Sequence, residues 1–255
     1  MFILQLPKKT THMKTFSVAA LALDAALYVV FGYIFYNIIP LQAPGLGTVR
    51  FWPQVIVPAV FAALFGPWVG GVGAAIGIFI NDILLGGNPL LSLMAGVTSN
   101  FAMFWLIGFI SRRSVGWKIP SITFGVITAI LVWIAYVYLP SEQMLLFSSV
   151  IIASFVILVA VVRFVPKWRG FEVGSTTGLL TGSSIIGATV PIFNQFFAQI
   201  PASITAYAVF GFLLWTFASE IPFLLILGPP ILQACYQAFP SLRTAKKGNN
   251  SAEHG

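Results

Sequence analysis

The sequence is short of charge and of every side chain that builds a hydrolytic or metal centre. Only 7% of its 255 residues are charged, against about 25% in an ordinary globular domain. The two histidines, His12 and His254, lie near the chain ends. A helix-face HExxH motif, a catalytic triad or an intramembrane histidine metal cluster is thereby excluded. The single cysteine, Cys235, rules out an internal disulfide. No GxxxxGK[ST] loop is present, and no polar stretch is large enough to fold as a nucleotide-binding domain. The inventory therefore argues against an enzyme and calls for no metal and no cofactor. Any uphill transport must draw its energy from a partner or from an ion gradient.

What the chain has in abundance is apolar sequence. Hydrophobic residues make up 58% of it, and its mean hydropathy is +0.96. Stretches of roughly 20 apolar residues, enough for a helix to cross about 30 Å of hydrocarbon, recur from Met13 to Phe239. Barrel strands alternate in polarity over about ten residues. Runs such as VITAILVWIAYVYL, residues 126–139, are instead apolar on every face. The expected fold is an all-α, polytopic membrane protein in the cell membrane, with crossings near 14–38, 53–65, 67–86, 89–111, 119–139, 144–166, 173–197 and 203–239. Residues 1–13 and 241–255 read as a cytoplasmic N-terminal segment and a disordered cytoplasmic tail around one membrane domain, 14–240. The last crossing is too long for one straight helix, so Pro222, Pro229 and Pro230 are expected to break or kink it, which leaves 203–218 either as a separate interfacial helix or half-span or as part of one kinked span.

The basic residues give the sidedness. They cluster as Lys8, Lys9 and Lys14; Arg112, Arg113 and Lys118; Arg163, Lys167 and Arg169; and Arg243, Lys246 and Lys247, each beside a hydrophobic segment. The positive-inside rule assigns these clusters to the cytoplasm and requires an even number of crossings between neighbours. Both termini are then cytoplasmic, and Arg50 is the basic residue left for the outer side. The net charge of +7 thus reports topology and contact with the lipid bilayer, not nucleic-acid binding.

Few polar groups lie inside the spans, and each charge there costs about 2.5 to 3.5 kcal/mol, which makes it a functional candidate by default. Asp82 closes the stretch FGPWVGGVGAAIGIFIND, residues 65–82. This is no phosphate loop, because no strand precedes it. Gly66, Gly70, Gly73 and Gly77 instead fall on one helix face and permit close helix approach, and Gly66-Pro67 is a natural turn. Asp82 either caps the following ILLGGNP turn or meets substrate. Asp24, in the middle of the first span, serves either helix packing or function, and Glu220 precedes the Pro222 region, where a helix opens most easily. Asn81 and Asn100 are candidate ligand contacts. Trp52, Tyr33, Tyr36 and Trp215 rank above the other aromatics because they lie near the outer ends or beside these polar positions.

The stretch GTVRFWPQVIVPAVFAALFGPWVGGVGAAIGIFINDILLGG, residues 47–87, resembles the signature of the substrate-binding S-components of energy-coupling factor (ECF) vitamin transporters. SVAALALDAALYVVFGYI, residues 17–34, resembles that family's first helix, and EIPFLLILGPPILQA, residues 220–234, its last. The resemblance implies six core helices, so about 119–166 stands out as an additional pair. It also implies a subunit that captures a vitamin or similar small molecule from outside, for ATP-driven uptake by a transmembrane coupling protein and two cytoplasmic ATPases. Ala22 and Ala26 would then meet the coupling protein, and the loop 40–52, with Arg50, would be a lid. Two acids, Asp82 and Glu220, suggest a cationic or amine-rich ligand. The competing reading is a self-sufficient ion-coupled secondary transporter that uses Asp24, Asp82 or Glu220, although no convincing repeat relates the two halves.

Overall fold

A computed structural model describes residues 11–44, 46, 49–197, 206–240 and 242. The basic clusters at Lys8 and Lys9 and at Arg243, Lys246 and Lys247, residues 1–10 of the expected N-terminal segment, and all of the tail 241–255 except Leu242 lie outside these residues. Among the described residues the chain is helical, and seven helices are long and apolar enough to cross a membrane.

Helix α1 spans Thr11–Ile38 and leads into the 39–52 loop. A short 3-10 turn, Pro53–Val55, continues as α2, Ile56–Phe65. At 1.5 Å per residue these two cover about 20 Å, less than a full hydrocarbon thickness. Gly66 then turns the chain at φ 111°, a conformation that costs a residue with a Cβ dearly. Pro67 starts α3, Pro67–Leu84, at the position where its missing N–H costs nothing. Next comes a rod made of α4, Pro89–Leu91, a π-helical stretch, Ser92–Val97, and α5, Thr98–Ser111. Helices α6, Lys118–Tyr138, and α7, Ser141–Phe164, form a hairpin. Helices α8, Arg169–Phe196, and α9, Ala206–Ala238, complete the chain.

The glycine face of α3 does what its spacing predicts. A Cβ at Gly70 would run into Ala62 of α2, one at Gly73 into Asp24, and one at Gly77 into Tyr28 and Ala25 of α1. Without side chains, three helix backbones approach closely, which is how packing substitutes for the hydrophobic effect inside lipid. On the other flank α5 packs most extensively on α8, and α8 in turn on α9. The α6–α7 hairpin lies outside this arrangement, against α9 and α8. Its outer face leaves Ile119, Ile122, Trp133 and Tyr136 exposed.

Helix α9 decides between the two forms that its prolines left open. It runs unbroken through Pro222, Pro229 and Pro230, so no separate half-span forms within the described part of residues 203–239. A proline removes one ladder hydrogen bond, but packing against α8, α7, α6 and α2 supports the helix.

The two described basic clusters sit at one end of the bundle. Arg112 donates to the Leu64 carbonyl at the close of α2 (3.2 Å), Arg169 to the Val162 carbonyl near the end of α7 (2.6 Å), and Lys167 to Gln233 of α9 (2.9 Å). The 39–52 loop and the α3–α4 turn lie at the opposite end.

Candidate functional site

At that opposite end a cavity of about 240 Å³ enters the bundle beneath the 39–52 loop. Its wall is assembled from one-face stripes. Ile78 and Asp82 come from α3; Ser92, Ala95 and Gly96 from the π-helical stretch; Asn100 and Met103 from α5; Gly182, Ile186 and Val190 from α8; and Thr216 and Glu220 from α9. Spacings of three and four residues give each helix a single cavity-facing stripe. The π-helical stretch, a rare geometry often found at functional sites, forms part of this wall.

The loop is tied both to itself and to the bundle. Gln42 and Arg50 pair as an antiparallel bridge, with Ala43 N–H donating to the Val49 carbonyl (2.8 Å) and Phe51 N–H to the Leu41 carbonyl (2.9 Å). Arg50 then reaches across to α3 and donates from Nη1 to Asp82 Oδ1 at 2.8 Å, the one ion pair among the described residues. The two side chains are only 14% and 19% exposed. The Ser92 hydroxyl donates to the other Asp82 oxygen at 2.7 Å, and the Arg50 guanidinium lies over the Tyr36 ring at 5.2 Å.

Deeper in, Trp52 Nε1 donates to the Tyr28 hydroxyl (3.0 Å), and Tyr28 donates to Asn100 Oδ1 (2.8 Å). Asn100 completes the chain by donating to the Gly96 carbonyl (2.9 Å). This largely buried network fixes the floor and joins the end of the loop to α1 and α5. Thr216 and Glu220, one turn apart on α9, are different. The Thr216 hydroxyl and one Glu220 carboxyl oxygen are buried with no hydrogen-bond partner among the described residues.

The residues singled out from the sequence divide accordingly. Arg50, Trp52, Asp82, Asn100 and Glu220 all line the cavity. Asn81 does not. Its side chain turns to α1 and donates to the Tyr28 carbonyl (3.0 Å), close against Gly32. Asp24 faces the interior, as the helix geometry of its neighbours requires, but is sealed against Gly73 instead of opening to the cavity. Tyr33 is 50% exposed on the outside of α1, and Trp215 packs against Phe147 of α7, one residue away from the cavity face. Asp82 caps its turn through its backbone carbonyl, which accepts from Gly87 N–H (2.6 Å), while its side chain is engaged by Arg50 and Ser92. The expected pair of free acids is thus reduced to Glu220. Sequence reasoning missed Tyr28 and Thr216; helical spacing from Asp24 and from Glu220, four residues in each case, was the signal that points to them.

A family model for the ECF-type riboflavin transporter S component matches residues 12–167, from α1 through α7. No curated protein and no solved structure matches the chain. The match covers the 39–52 loop, Arg50, Asp82 and the floor network, whereas the α8 and α9 stripes lie beyond it. With more than half its length matched, an all-helical membrane fold and a cavity at one end of the bundle, the chain belongs to the ECF-type riboflavin transporter S-component family, whose members are substrate-binding subunits of membrane transporters and not enzymes.

Proposed function

We propose that this chain binds a flavin of the riboflavin class in the cavity under the 39–52 loop and presents it for ATP-driven uptake by a transmembrane coupling protein and two cytoplasmic ATPases. The observation that carries the reading is the cavity itself. Apolar side chains from α3, α5 and α8 form its walls, the Trp52–Tyr28–Asn100 network forms its floor, and neutral or internally paired polar groups surround its mouth. Ligand sites combine mostly apolar lining with a few placed polar groups in this way. A planar heteroaromatic ring with a hydroxylated tail fits that division, with the ring among the apolar walls and the tail near Asn88, Ser92 and Gln42.

The positive-inside rule puts the Arg112–Lys118 and Arg163–Arg169 end in the cytoplasm, so the cavity faces outward in the cell membrane. Ala22 and Ala26 are both exposed on α1, on the side away from buried Asp24, and offer a small-residue surface for the coupling protein. A cationic ligand is less well served than the sequence suggested, because Arg50 already neutralises Asp82. Mass spectrometry of small molecules carried through purification tests the reading. Riboflavin or a close flavin relative is expected, and consistent recovery of a different ligand class would overturn it.

A further inference from the structure

The flavin reading leaves one part of the cavity unexplained. Every polar side chain of the floor network has its partner inside the protein, and Asp82 has two. On α9 the opposite holds. Glu220 is 4% exposed and Thr216 1%, yet both face the cavity with polar atoms unpartnered among the described residues. A buried polar group without a hydrogen bond costs about 1 to 3 kcal/mol in mutational data. Two such groups one turn apart, on one face of one helix, make an incomplete binding surface for a ligand. They also lie beyond residues 12–167, the segment that the family model matches.

We propose that Glu220 and Thr216 form a specificity-determining edge that reads an N–H donor flanked by a carbonyl, the lactam or imide edge of a planar heterocycle. The proposal rests on the flavin reading and assigns the orientation of the ligand within it. Side chains at i and i+4 on a helix stand about 5 to 6 Å apart at their Cβ atoms, a span that one heterocycle edge can bridge. A carboxyl oxygen accepts an N–H in either protonation state, and the protonated form adds a donor that suits the neighbouring carbonyl. The Thr216 hydroxyl, which donates or accepts, takes the next group along the edge. A neutral ligand of this kind satisfies both side chains without bringing a second charge into the membrane, whereas among the described residues no cation stands beside Glu220. Because α9 begins at the loop end of the bundle, Glu220 lies deeper than Thr216. The heterocycle therefore enters edge first, with its hydroxylated tail towards Arg50 and Asn88.

The test compares riboflavin, whose ring carries the imide N–H, with its N3-methyl derivative, which lacks it, by equilibrium titration of the purified parent and two Glu220 variants. The parent is expected to favour riboflavin by about tenfold to a hundredfold, the range for a hydrogen bond to a charged group. Glu220→Leu should bring the two affinities together, while Glu220→Gln, which keeps an acceptor and a donor, should retain the preference. Equal binding of both flavins by the parent would overturn the assignment while leaving the flavin reading intact. So would a preference that persists in Glu220→Leu or disappears in Glu220→Gln. Failure of the parent to bind either flavin would overturn the flavin reading and the assignment together. The parent comparison stands without the variants if Glu220→Leu does not fold.

Discussion

Breaking the Arg50–Asp82 pair should release the loop from α3. The pair is short, 2.8 Å, and more than four-fifths of each side chain is shielded. Removing one partner of a fully buried pair costs about 3 to 5 kcal/mol, because the other charge is stranded. Here the Ser92 hydroxyl still supports Asp82, and the site lies at the bundle end with some access to water. A coupling of about 1 to 3 kcal/mol follows, roughly a fivefold to 150-fold shift between loop-closed and loop-open states. Arg50→Ala, Asp82→Ala and the double variant complete a double-mutant cycle, read by stopped-flow release of bound riboflavin. Each single change should speed release, and the second should add little once the first is made. Effects on the release barrier that simply add, within about 0.5 kcal/mol, would show that the two residues act independently and that the ion pair does not hold the loop.

Four further outcomes are expected. Ala22→Trp or Ala26→Trp should abolish transport by the assembled system while changing riboflavin affinity little, since both residues are exposed on the side of α1 away from the cavity; parallel loss of binding and uptake would contradict this. Gly73→Val should prevent folding, because even a Cβ there meets Asp24 between α1 and α3; detergent size-exclusion chromatography would expose the error if the variant eluted like the parent. Trp52→Phe removes one donor from buried Tyr28, whose hydroxyl keeps its bond to Asn100, so binding should weaken by about two- to tenfold by isothermal calorimetry, with unchanged affinity counting against a role for the floor network. Rigorously purified protein should hydrolyse no ATP, and measurable turnover in a phosphate-release assay would refute the division of labour with partner ATPases.

Much of the fold was legible because lipid imposes a strict rule on sequence. Each crossing needs its own run of apolar residues, and the loops between them carry the charge, so the eight segments could be bounded from hydropathy and basic clusters alone. The glycine spacing of α3 likewise named its own packing face. For helix α9 the prolines left a kinked span and a half-span plus a helix both open, because proline propensity is a local property, whereas the contacts beside that continuous helix come from α8, α7, α6 and α2. At the site, polarity inside a span picked out Asp82, Asn100 and Glu220, which line the cavity together with Arg50 of the 39–52 loop. It could not separate them from Asn81 and Asp24, which are equally polar but turned into helix contacts, because a residue type does not tell which neighbour it meets. Tyr28 escaped notice for the converse reason. Among 38 aromatic residues, counting 24 Phe, 7 Tyr and 7 Trp, nothing in the sequence marked this one as the hub between Trp52 and Asn100.

Titration of riboflavin into the purified chain, with no partner subunit and no ATP, bears most directly on the central claim, read by quenching of flavin fluorescence beside Trp52 and Tyr28. The account predicts saturable binding at about one flavin per chain, weakened in Glu220→Leu and released faster in Arg50→Ala. A flat titration at protein concentrations of about 10 μM, where even a ligand held by only about 7 kcal/mol would register, would contradict it.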